Sequence, residues 1–484
     1  MATKYDCIVI GSGQAGGPLA GAFAKAGKKT ALVERTHIGG CCVNEGCTPT
    51  KTMVASGRVA YLARRGPDYG VHLTSNAGQF DLLSTENSLK VDMKKVRERK
   101  RKIVESFRGG NERRLKEAGV DILMGEGSFI NANTVKVKIE GAQDVTITAE
   151  TICINTGERP SPPKITGIES VPKELVLDSA SIMELDKVPK HLLVVGGGYI
   201  GVEFGQLFRR LGAQVSIVQR GSQLMPREDR DVTETLHQIL SDDGINILLN
   251  SSVDSVTYDS SKGITLSTHS KDGNNQSITG SHLLYAAGRI PNTEALNLDA
   301  AGIQSHAKGY IICNERLETT APGVYVLGDV KGPPAFTHIS YDDFRILQAN
   351  LITNANKTTE VRTIANRIIP YVAYTDPQLA HVGLHESEAR EKYPGRKIKT
   401  AKMPMNYVAR ALETDESRGL MKAVVDGDSG EILGFTCLGI EGGEVMAVVQ
   451  MAMVGGVSYE KLRDGIWAHP SLAESLNNIW GFLE

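Results

Sequence analysis

The sequence has little that would mark a membrane protein, a secreted protein or a nucleic-acid-binding protein. Its 484 residues include only seven cysteines, too few for a secreted disulfide scaffold of this length. No apolar run approaches the roughly 18 to 20 residues that a membrane-spanning helix needs. A formal net charge of -2 gives no electrostatic footprint for nucleic acid. We therefore expect a cytoplasmic protein with neither a membrane nor a nucleic acid as partner.

The chain start and one basic run are consistent with this expectation. The first residues, MATKYDCIVIGSG, lead directly into an apolar strand and lack the features of a signal or transit peptide. The basic run KKVRERKRK near Lys95 suits the solvated face of a helix, with an anion or partner patch as the alternative. The length and the 41% content of hydrophobic residues predict two to four domains.

The sequence contains an internal repeat of strand, glycine turn, helix and strand. YDCIVIGSGQAGGPLAGAFAKAGKKTALVER aligns with KHLLVVGGGYIGVEFGQLFRRLGAQVSIVQR. Each copy contains G-x-G-x-x-G, whose glycines allow a tight turn and let the pyrophosphate of a dinucleotide approach a helix N-terminus. Each copy therefore predicts a dinucleotide site, the alternative being a glycine turn without ligand. The glycines are Gly11, Gly13 and Gly16 in the first copy and Gly196, Gly198 and Gly201 in the second.

The two copies end on different residues. Glu34 closes the first copy, where a carboxylate binds the ribose hydroxyls of FAD or NAD. The second copy has Gln219 there, followed by Arg220. Two unlike nucleotides are implied. A later segment, TTAPGVYVLGDV, ends a strand with Gly328 and Asp329 and so places a carboxylate beside a glycine turn, with a helix cap as the alternative role of Asp329.

These landmarks predict an α/β fold with two Rossmann-like dinucleotide-binding domains and a further C-terminal α+β domain. We assign residues 1–157 and 289–366 to the first domain, 158–288 to the second and 367–484 to the third. The segments INTGERP and YAAGRIP are the expected crossing points between the first two domains.

Cys42 and Cys47 form a C-x4-C pair that a regular helix would not allow to close. Such a helix places their α carbons roughly 8 Å apart, whereas a disulfide usually needs about 4.4 to 6.8 Å. Gly46 and Pro49 supply the means to bend the chain. We expect a distorted helix start, where the helix dipole and nearby Lys51 stabilise a thiolate.

Alone, this pair is compatible with half a metal site, a buried couple or a redox disulfide. The redox interpretation is favoured because no second cluster with zinc-ligand spacing accompanies it, and no metal site is expected. Cys41 is interpreted as a bystander, with pairing to Cys47 as the alternative. The remaining cysteines lie in or beside apolar stretches and are expected to be buried small hydrophobes: Cys7, Cys153, Cys313 and Cys437.

The C-terminal segment WAHPSLAES contains His469 and, five residues later, Glu474. A thiol that exchanges with a disulfide needs a group to take and return protons, for which imidazole is suited near neutral pH. A carboxylate would orient the ring. Without further context, a single histidine is more often structural.

Together, GGCCVNEGCTPTK, GGGYIGVE, GVYVLGDV and AHPSLAE resemble the class I pyridine nucleotide-disulfide oxidoreductases over nearly the whole chain. This family includes dihydrolipoamide dehydrogenase, glutathione reductase and mercuric reductase. The resemblance implies a homodimer with FAD, NAD(P) and interface domains. It also implies that electrons pass from NAD(P)H through FAD to the Cys42–Cys47 disulfide, and on to a small disulfide or dithiol substrate.

The resemblance also implies roles for single residues. Cys42 is the interchange thiol that attacks substrate, and Cys47 is the charge-transfer thiol facing the flavin. Asp329 contacts the FAD ribitol. His469 and Glu474 form the acid/base pair, which reaches the flavin site of the other subunit.

Near the flavin, Lys51 is expected beside N5 and paired with Glu203, and Tyr199 is the gate that moves when nicotinamide stacks. The alternatives are a surface ion pair for Lys51 and Glu203 and a packing role for Tyr199. By motif position, further cofactor contacts are expected from Ser12, Gln14, Ala15, Arg35, Gly40, Gly127, Thr156, Gly157, Ile200, Gly288, Arg289, Thr337 and His338.

Departures from the family pattern bear on the substrate and the nucleotide. Cys41 replaces the usual threonine, and the last cysteine is Cys437, so the C-terminal cysteine pair of mercuric reductase is missing. A mercuric or quinone-type reductase and a flavin-binding redox sensor are the alternatives to a disulfide reductase. Gln219, Arg220 and Arg227 predict NADPH rather than NADH, because arginines suit a 2'-phosphate.

Overall fold

The computed structural model describes residues 2–72, 89–271, 273, 275–353 and 361–484. The strands are β1 (Thr3–Lys4), β2 (Cys7–Ile10), β3 (Thr30–Glu34), β4 (Asp121–Met124), β5 (Glu126–Asn131), β6 (Thr134–Lys138), β7 (Val145–Thr148), β8 (Thr151–Ile154), β9 (Glu158–Pro160), β10 (Val176–Leu177), β11 (His191–Val195), β12 (Gln214–Val218), β13 (Asn246–Leu248), β14 (Ser251–Asp259), β15 (Gly263–Ser270), β16 (Asn275–Gly280), β17 (His282–Tyr285), β18 (Arg289–Pro291), β19 (Val324–Val326), β20 (Pro370–Ala373), β21 (Gln378–Gly383), β22 (Ile398–Pro404), β23 (Leu420–Asp426) and β24 (Ile432–Gly439).

The α-helices are α1 (Gly16–Lys25), α2 (Gly40–Asn44), α3 (Cys47–Arg64), α4 (Met93–Glu117), α5 (Tyr199–Leu211), α6 (Arg230–Asp242), α7 (Thr337–Gln348), α8 (Glu386–Lys392), α9 (Ala409–Glu413), α10 (Gly442–Val454), α11 (Tyr459–Arg463) and α12 (Ser475–Asn478). The basic run near Lys95 lies on α4, as its spacing predicts. Among the helices of the described ranges, none is long and apolar enough to cross a membrane.

The chain divides into two compact units. The first comprises Met1–Thr52, Arg97–Ser161 and Gly288–Arg367, and the second comprises Met53–Val96, Pro162–Ala287 and Ile368–Glu484. Each unit contains one copy of the internal repeat.

The first unit is built on a five-stranded parallel sheet with the order β19-β8-β2-β3-β4. Strand β2 (CIVI) and strand β3 (TALVE) are buried along their whole length. Such continuous apolar runs are typical of a parallel sheet covered on both faces. The chain returns to this sheet through β19, so the Gly328 turn lies at the same edge as the first glycine turn. A four-stranded sheet, β1-β7-β6-β5, and the β9-β18 pair complete the unit.

The second unit repeats the same arrangement and adds an antiparallel sheet. Its parallel sheet has the order β10-β17-β11-β12-β13, with α5 following the second glycine turn. A three-stranded sheet, β14-β15-β16, accompanies it. The C-terminal part forms the antiparallel sheet β20-β21-β24-β23-β22, against which α10 packs. The predicted α/β class with two Rossmann-like halves is confirmed.

Candidate active site

The first glycine turn has the geometry of a dinucleotide cradle. Gly11 has φ +97°, a backbone conformation that residues with a side chain rarely adopt. A Cβ on Gly16 would overlap the carbonyl oxygen of Gly11. The helix α1 therefore begins directly after the turn, which places the positive end of its dipole at the turn. Gly40 packs in the same way against the backbone of Gly13.

Asn155, at the end of β8, braces this turn and was not found from the sequence. Its Oδ1 accepts a hydrogen bond from the N-H of Gly16 at 2.8 Å, and its Nδ2 donates to the carbonyl of Leu327 at 2.9 Å. It thereby ties the first glycine turn to the segment that leads into Gly328. Its signal was a lone polar residue directly after an apolar strand, in INTGERP.

Glu34 lies at the end of β3 and is buried. Its carboxylate accepts hydrogen bonds from the N-H and hydroxyl of Ser12 at 3.0 and 2.6 Å, and from the N-H of Thr36 at 2.9 Å. Three donors hold the carboxylate beside the glycine turn, where an adenosine ribose would lie.

The cysteine pair lies at a helix break. Helix α2, which contains Cys42, ends at Asn44, and helix α3 begins at Cys47, so Glu45 and Gly46 separate the two helices. Glu45 has a non-helical φ of -140°. This is the distortion that the C-x4-C spacing predicts, and both cysteines are present as thiols.

The two thiols interact, and this changes their acidity. The hydrogen bond with Cys47 raises the pKa of Cys42, and burial adds to the increase. The expectation that the helix start favours a thiolate is therefore wrong for Cys42 in this dithiol state. The Cys47 hydrogen bond is the largest cause of this increase, and Thr337 opposes it. The Cys47 Sγ also lies 3.3 Å from the hydroxyl of Thr337.

Cys41 points to a different partner. Its Sγ lies 3.7 Å from a guanidinium nitrogen of Arg289, which is also bonded to Glu158. Cys41 retains accessible surface, yet the surrounding protein atoms desolvate its thiol and raise its pKa to about 11. The other cysteines are buried as expected, except that Cys313 is only half-buried.

Asp329 and Thr337 belong to the same unit as Cys41, Cys42 and Cys47. Desolvation raises the pKa of Asp329, while Arg289 and Lys331 oppose the increase. The hydroxyl of Ser340 donates to Asp329 at 3.4 Å. Thr337 is the first residue of α7. It is an expected cofactor contact, and its hydroxyl also contacts the Cys47 thiol.

Other expected cofactor contacts have protein partners that position them. Gln14 donates to the carbonyl of Gly39 at 3.1 Å, and Arg35 pairs with Glu126 at 3.2 Å. The ring of His338 stacks on Phe336. Gly127 packs on Ile10 and Val33, and the remaining positions lie on the turns themselves: Ala15, Gly157 and Gly288.

In the second unit, the second glycine turn reproduces the first. Gly196 has φ +112°, and a Cβ on Gly201 would overlap the carbonyl oxygen of Gly196. Gln219 accepts a hydrogen bond from the N-H of Gly197 at 3.0 Å, as Glu34 does from Ser12. Gly198 leads from the turn into α5, where Ile200 packs on the core.

The loop after β12 presents two exposed cations. Gln219 Nε2 donates to the carbonyl of Gln223 at 3.2 Å, so both ends of its amide are engaged. Arg220 and Arg227 are exposed. Within the described part of the chain, neither guanidinium has an ion-pair partner.

Tyr199 and Glu203 share helix α5. Glu203 is buried and accepts a hydrogen bond from the N-H of Tyr374 at 2.8 Å. Tyr199 contacts the ring of Tyr371 edge to face, with 5.8 Å between centroids. Burial raises the pKa of Tyr199, and Glu228 adds to the increase.

His469 and Glu474 form a contact near the C terminus of the second unit. His469 Nδ1 lies 2.9 and 3.0 Å from the two oxygens of Glu474. The imidazole is 66% exposed and Glu474 only 27%. The carboxylate thus orients the ring and leaves Nε2 available to an outside group.

These residues fit two dinucleotides. The first turn offers a glycine cradle, a ribose-binding carboxylate and the buried Thr156 hydroxyl, which has no hydrogen-bond partner among the described residues. The second turn offers the same cradle with cations instead of a carboxylate. Bound FAD supplies two-electron chemistry between nicotinamide and thiols.

The fold and the site define a flavin- and nicotinamide-dependent oxidoreductase with a dithiol centre. The sequence profile described as pyridine nucleotide-disulphide oxidoreductase matches residues 5–351, and the profile of its dimerisation domain matches residues 369–479. The chain belongs to this family, and it is an NAD(P)H-dependent, FAD-dependent disulfide oxidoreductase.

Several relatives are similar over nearly the full chain. The probable pyridine nucleotide-disulfide oxidoreductase RclA of Escherichia coli K12 is 34% identical, covering 99% of this chain and 100% of its own length. A mercuric reductase from Lysinibacillus sphaericus is 33% identical, covering 98% and 81%. A dihydrolipoyl dehydrogenase from Thermus scotoductus is 32% identical, covering 98% and 96%.

Solved structures are also similar over nearly the full chain. The HOCl-induced flavoprotein disulfide reductase RclA from Escherichia coli superimposes with a TM-score of 0.85 at 34% identity, covering 99% of each chain. A Cu(II) complex of the same reductase superimposes with a TM-score of 0.85.

Proposed function

We propose that the chain reduces a small disulfide with NADPH, using Cys42 and Cys47 as the thiols that exchange with substrate. The observation that carries this proposal is the hydrogen-bonded thiol pair at the α2–α3 break, in the same unit as the FAD-type glycine turn. Each turnover oxidises one NADPH to NADP+ and converts one substrate disulfide, with one proton, into two thiols.

In this scheme Cys42 attacks the substrate disulfide and releases the first thiol. Cys47 then attacks the Sγ of Cys42, which releases the second thiol and closes the Cys42–Cys47 disulfide. His469, oriented by Glu474, supplies protons to the leaving thiolates. Lys51 and Glu203 are assigned to the flavin side as an ion pair, and Tyr199 to nicotinamide access.

The proposed nucleotide is NADPH. Gln219 leaves no negative charge where Glu34 stands in the first copy, and its amide is already engaged by the turn and by Gln223. The two exposed guanidinium groups of Arg220 and Arg227 suit a 2'-phosphate.

We further propose the domain boundaries 1–157 with 289–366 for FAD, 158–288 for NAD(P) and 367–484 for dimerisation. A homodimer is supported by the dimerisation-domain match and by apolar side chains exposed in that region. Met451 is 65% exposed, Val454 59% and Ile466 103%. We propose a cytoplasmic location, where thiols remain reduced.

The test is steady-state turnover of the FAD-loaded enzyme with NADPH and a panel of acceptors. The panel contains small disulfides, lipoamide, a quinone, and mercuric and cupric ions. We expect one class of small disulfide to be reduced, with the activity lost in Cys42→Ser and retained in the neighbouring Cys41→Ser. Turnover of a quinone that persists in Cys42→Ser, with no disulfide reduced, would contradict the proposal.

A second candidate is reduction of a soft metal ion held by thiolates. It is favoured by the mercuric reductase relatives and by Cys41, a third thiol that departs from the family's usual threonine. The same panel separates the two candidates. A metal-ion reductase would lose activity in Cys41→Ser, whereas a disulfide reductase would not.

A further inference from the structure

A buried polar cluster in the second unit lies outside the residues assigned above. It consists of Glu228, Tyr371, His381 and His385. Glu228 is 4% exposed, His381 2% and His385 6%. Burying such groups is costly unless they form hydrogen bonds, so their arrangement needs a physical reason.

The cluster is a chain of hydrogen bonds. The hydroxyl of Tyr371 donates to Glu228 Oε1 at 2.7 Å and lies 3.0 Å from His385 Nε2. The His385 ring stacks on His381 at 3.8 Å between centroids. Thr436 and the carbonyl of Gly383 hold His381 at 2.8 and 3.1 Å.

A metal ion explains this geometry less well. Glu228, His381 and His385 do place ligand atoms within 4.8 Å of one another. However, both nitrogens of His381 already have partners, and the two rings are 16° from parallel. An imidazole binds a metal in its own ring plane, so two stacked rings do not converge on one ion.

The chain has two proton arrangements, and they differ in cost. When Glu228 is ionised, Tyr371 donates to it and accepts from the Nε2-H of His385. When Glu228 is protonated, both directions reverse only if the His385 proton moves to Nδ1, which is buried and has no acceptor among the described residues, so Tyr371 is held less firmly in this arrangement. Burial raises the pKa of Glu228 to about 7, which places this reversal near neutral pH. The Oε2 of Glu228 has no hydrogen-bond partner among the described residues, which also disfavours the charged form.

Burial favours the neutral form of both imidazoles. Burial lowers the pKa of His381 to about 3 and lowers that of His385. Glu228 is therefore the group in the cluster that titrates near neutral pH. The charged and titratable groups that face the cluster from neighbouring elements are Tyr199, Arg227, Asp229, Glu388 and Lys422.

The cluster touches both ends of the expected nicotinamide nucleotide site. Tyr371 lies edge to face against Tyr199, with an interplanar angle of 85°. Glu228 follows Arg227, and its carbonyl accepts a hydrogen bond from Gln223 at 2.9 Å. Gln223 is in turn the partner of Gln219.

We propose that Tyr371 is a positioning residue for Tyr199, and that the ionisation of Glu228 sets the direction of the hydrogen-bond chain that holds Tyr371. The inference rests on the proposed function, in which Tyr199 controls access of nicotinamide to the flavin. The ionised carboxylate draws the Tyr371 hydroxyl towards Glu228 and fixes the ring edge against Tyr199. In the protonated state the hydroxyl turns to His385, and Tyr199 loses this support.

The experiment is stopped-flow reduction of the bound flavin by NADPH at pH 6 and pH 8. The holoenzymes are wild type, Tyr371→Phe, Glu228→Gln and the control Tyr258→Phe, whose tyrosine lies on the separate sheet strand β14. We expect wild type and control to react about fivefold faster or more at pH 8 than at pH 6. Tyr371→Phe and Glu228→Gln are expected to be slow at both pH values. Reoxidation of the reduced enzyme by a disulfide should be unchanged in both.

Each other outcome has a defined meaning. A wild-type rate and pH profile in Tyr371→Phe would overturn the inference. If that variant does not retain flavin, a wild-type pH profile in Glu228→Gln overturns it instead. Stoichiometric zinc or copper in the purified enzyme that is lost in His385→Asn would reassign the cluster as a metal site. Failure of NADPH and NADH to reduce wild-type flavin would refute the proposed function itself.

Discussion

At the scale of single residues, three cysteines within seven positions have three different environments. Cys42 shares a hydrogen bond with Cys47, Cys47 contacts the hydroxyl of Thr337, and Cys41 contacts the guanidinium of Arg289. The structure therefore brings the Cys42 and Cys47 thiols together and directs the Cys41 side chain towards Arg289. Arg289 only partly offsets the desolvation that raises the pKa of Cys41 to about 11, so this thiol stays protonated and lies in a separate environment from the pair.

This separation predicts a spectroscopic difference between the thiols. Two-electron reduction of the holoenzyme should produce a long-wavelength absorbance band if Cys47, as proposed, is the thiol whose thiolate faces the oxidised flavin. Cys47→Ser should remove the band, whereas Cys41→Ser should leave it in place. Anaerobic titration with dithionite checks this. A band that survives Cys47→Ser and disappears with Cys41→Ser would show that Cys41 is the thiol facing the flavin.

At the scale of elements, the features that could be predicted from the sequence are those set by short local patterns of residues. The glycine turns and the largely apolar strands β2, β3, β11 and β12 repeat visibly, because a parallel sheet covered on both faces favours such runs. The α2–α3 break was predictable because Gly46 and the disulfide distance require it. The acidity of Cys42 was not, because it depends on the orientation of its partner thiol.

Contacts between segments that are distant in the chain could not be predicted from the sequence either. Asn155 braces the first turn only because β8 lies beside β2 and β19 in the sheet. The chain of Glu228, Tyr371 and His385 joins a loop, a strand and the start of a helix. Nothing in the spacing of these residues indicates that they meet.

The loop between β12 and α6 carries the prediction on nucleotide choice. Wild type should prefer NADPH, and Arg220→Ala should lower kcat/KM for NADPH by about 10- to 100-fold, the loss expected for a charge-assisted contact. NADH turnover should be unaffected because it has no 2'-phosphate. Arg230→Ala is the matched control, since Arg230 is exposed and pairs with Glu234 at 2.8 Å. Preference for NADH in wild type, or an unchanged ratio in Arg220→Ala, would rule out this contact.

At the scale of the whole molecule, the proposed dimer gives the exposed C-terminal features a common reason. His469 is 66% exposed although its ring is held by Glu474, and a proton donor needs a thiol to serve. The same region presents exposed apolar side chains at Met451 and Ile466, which a folded chain normally covers. Both observations are explained if a second copy of the chain covers this surface and supplies the thiols that His469 protonates.

A mixed-dimer experiment tests this arrangement directly. Cys42→Ser and His469→Ala homodimers should each be nearly inactive in disulfide reduction, because each lacks one partner of every site. After the two are unfolded and refolded together with FAD in equal amounts, half of the dimers combine one chain of each kind. Each such dimer has one complete site, so activity should return to about a quarter of wild type.

The control is a refolded mixture of Cys42→Ser with the double variant Cys42→Ser/His469→Ala, which has no complete site in any combination. If the first mixture stays as inactive as this control while refolded wild type recovers, then His469 acts within its own chain or not at all. Recovery in the first mixture alone requires that one subunit's thiols work with the other subunit's histidine.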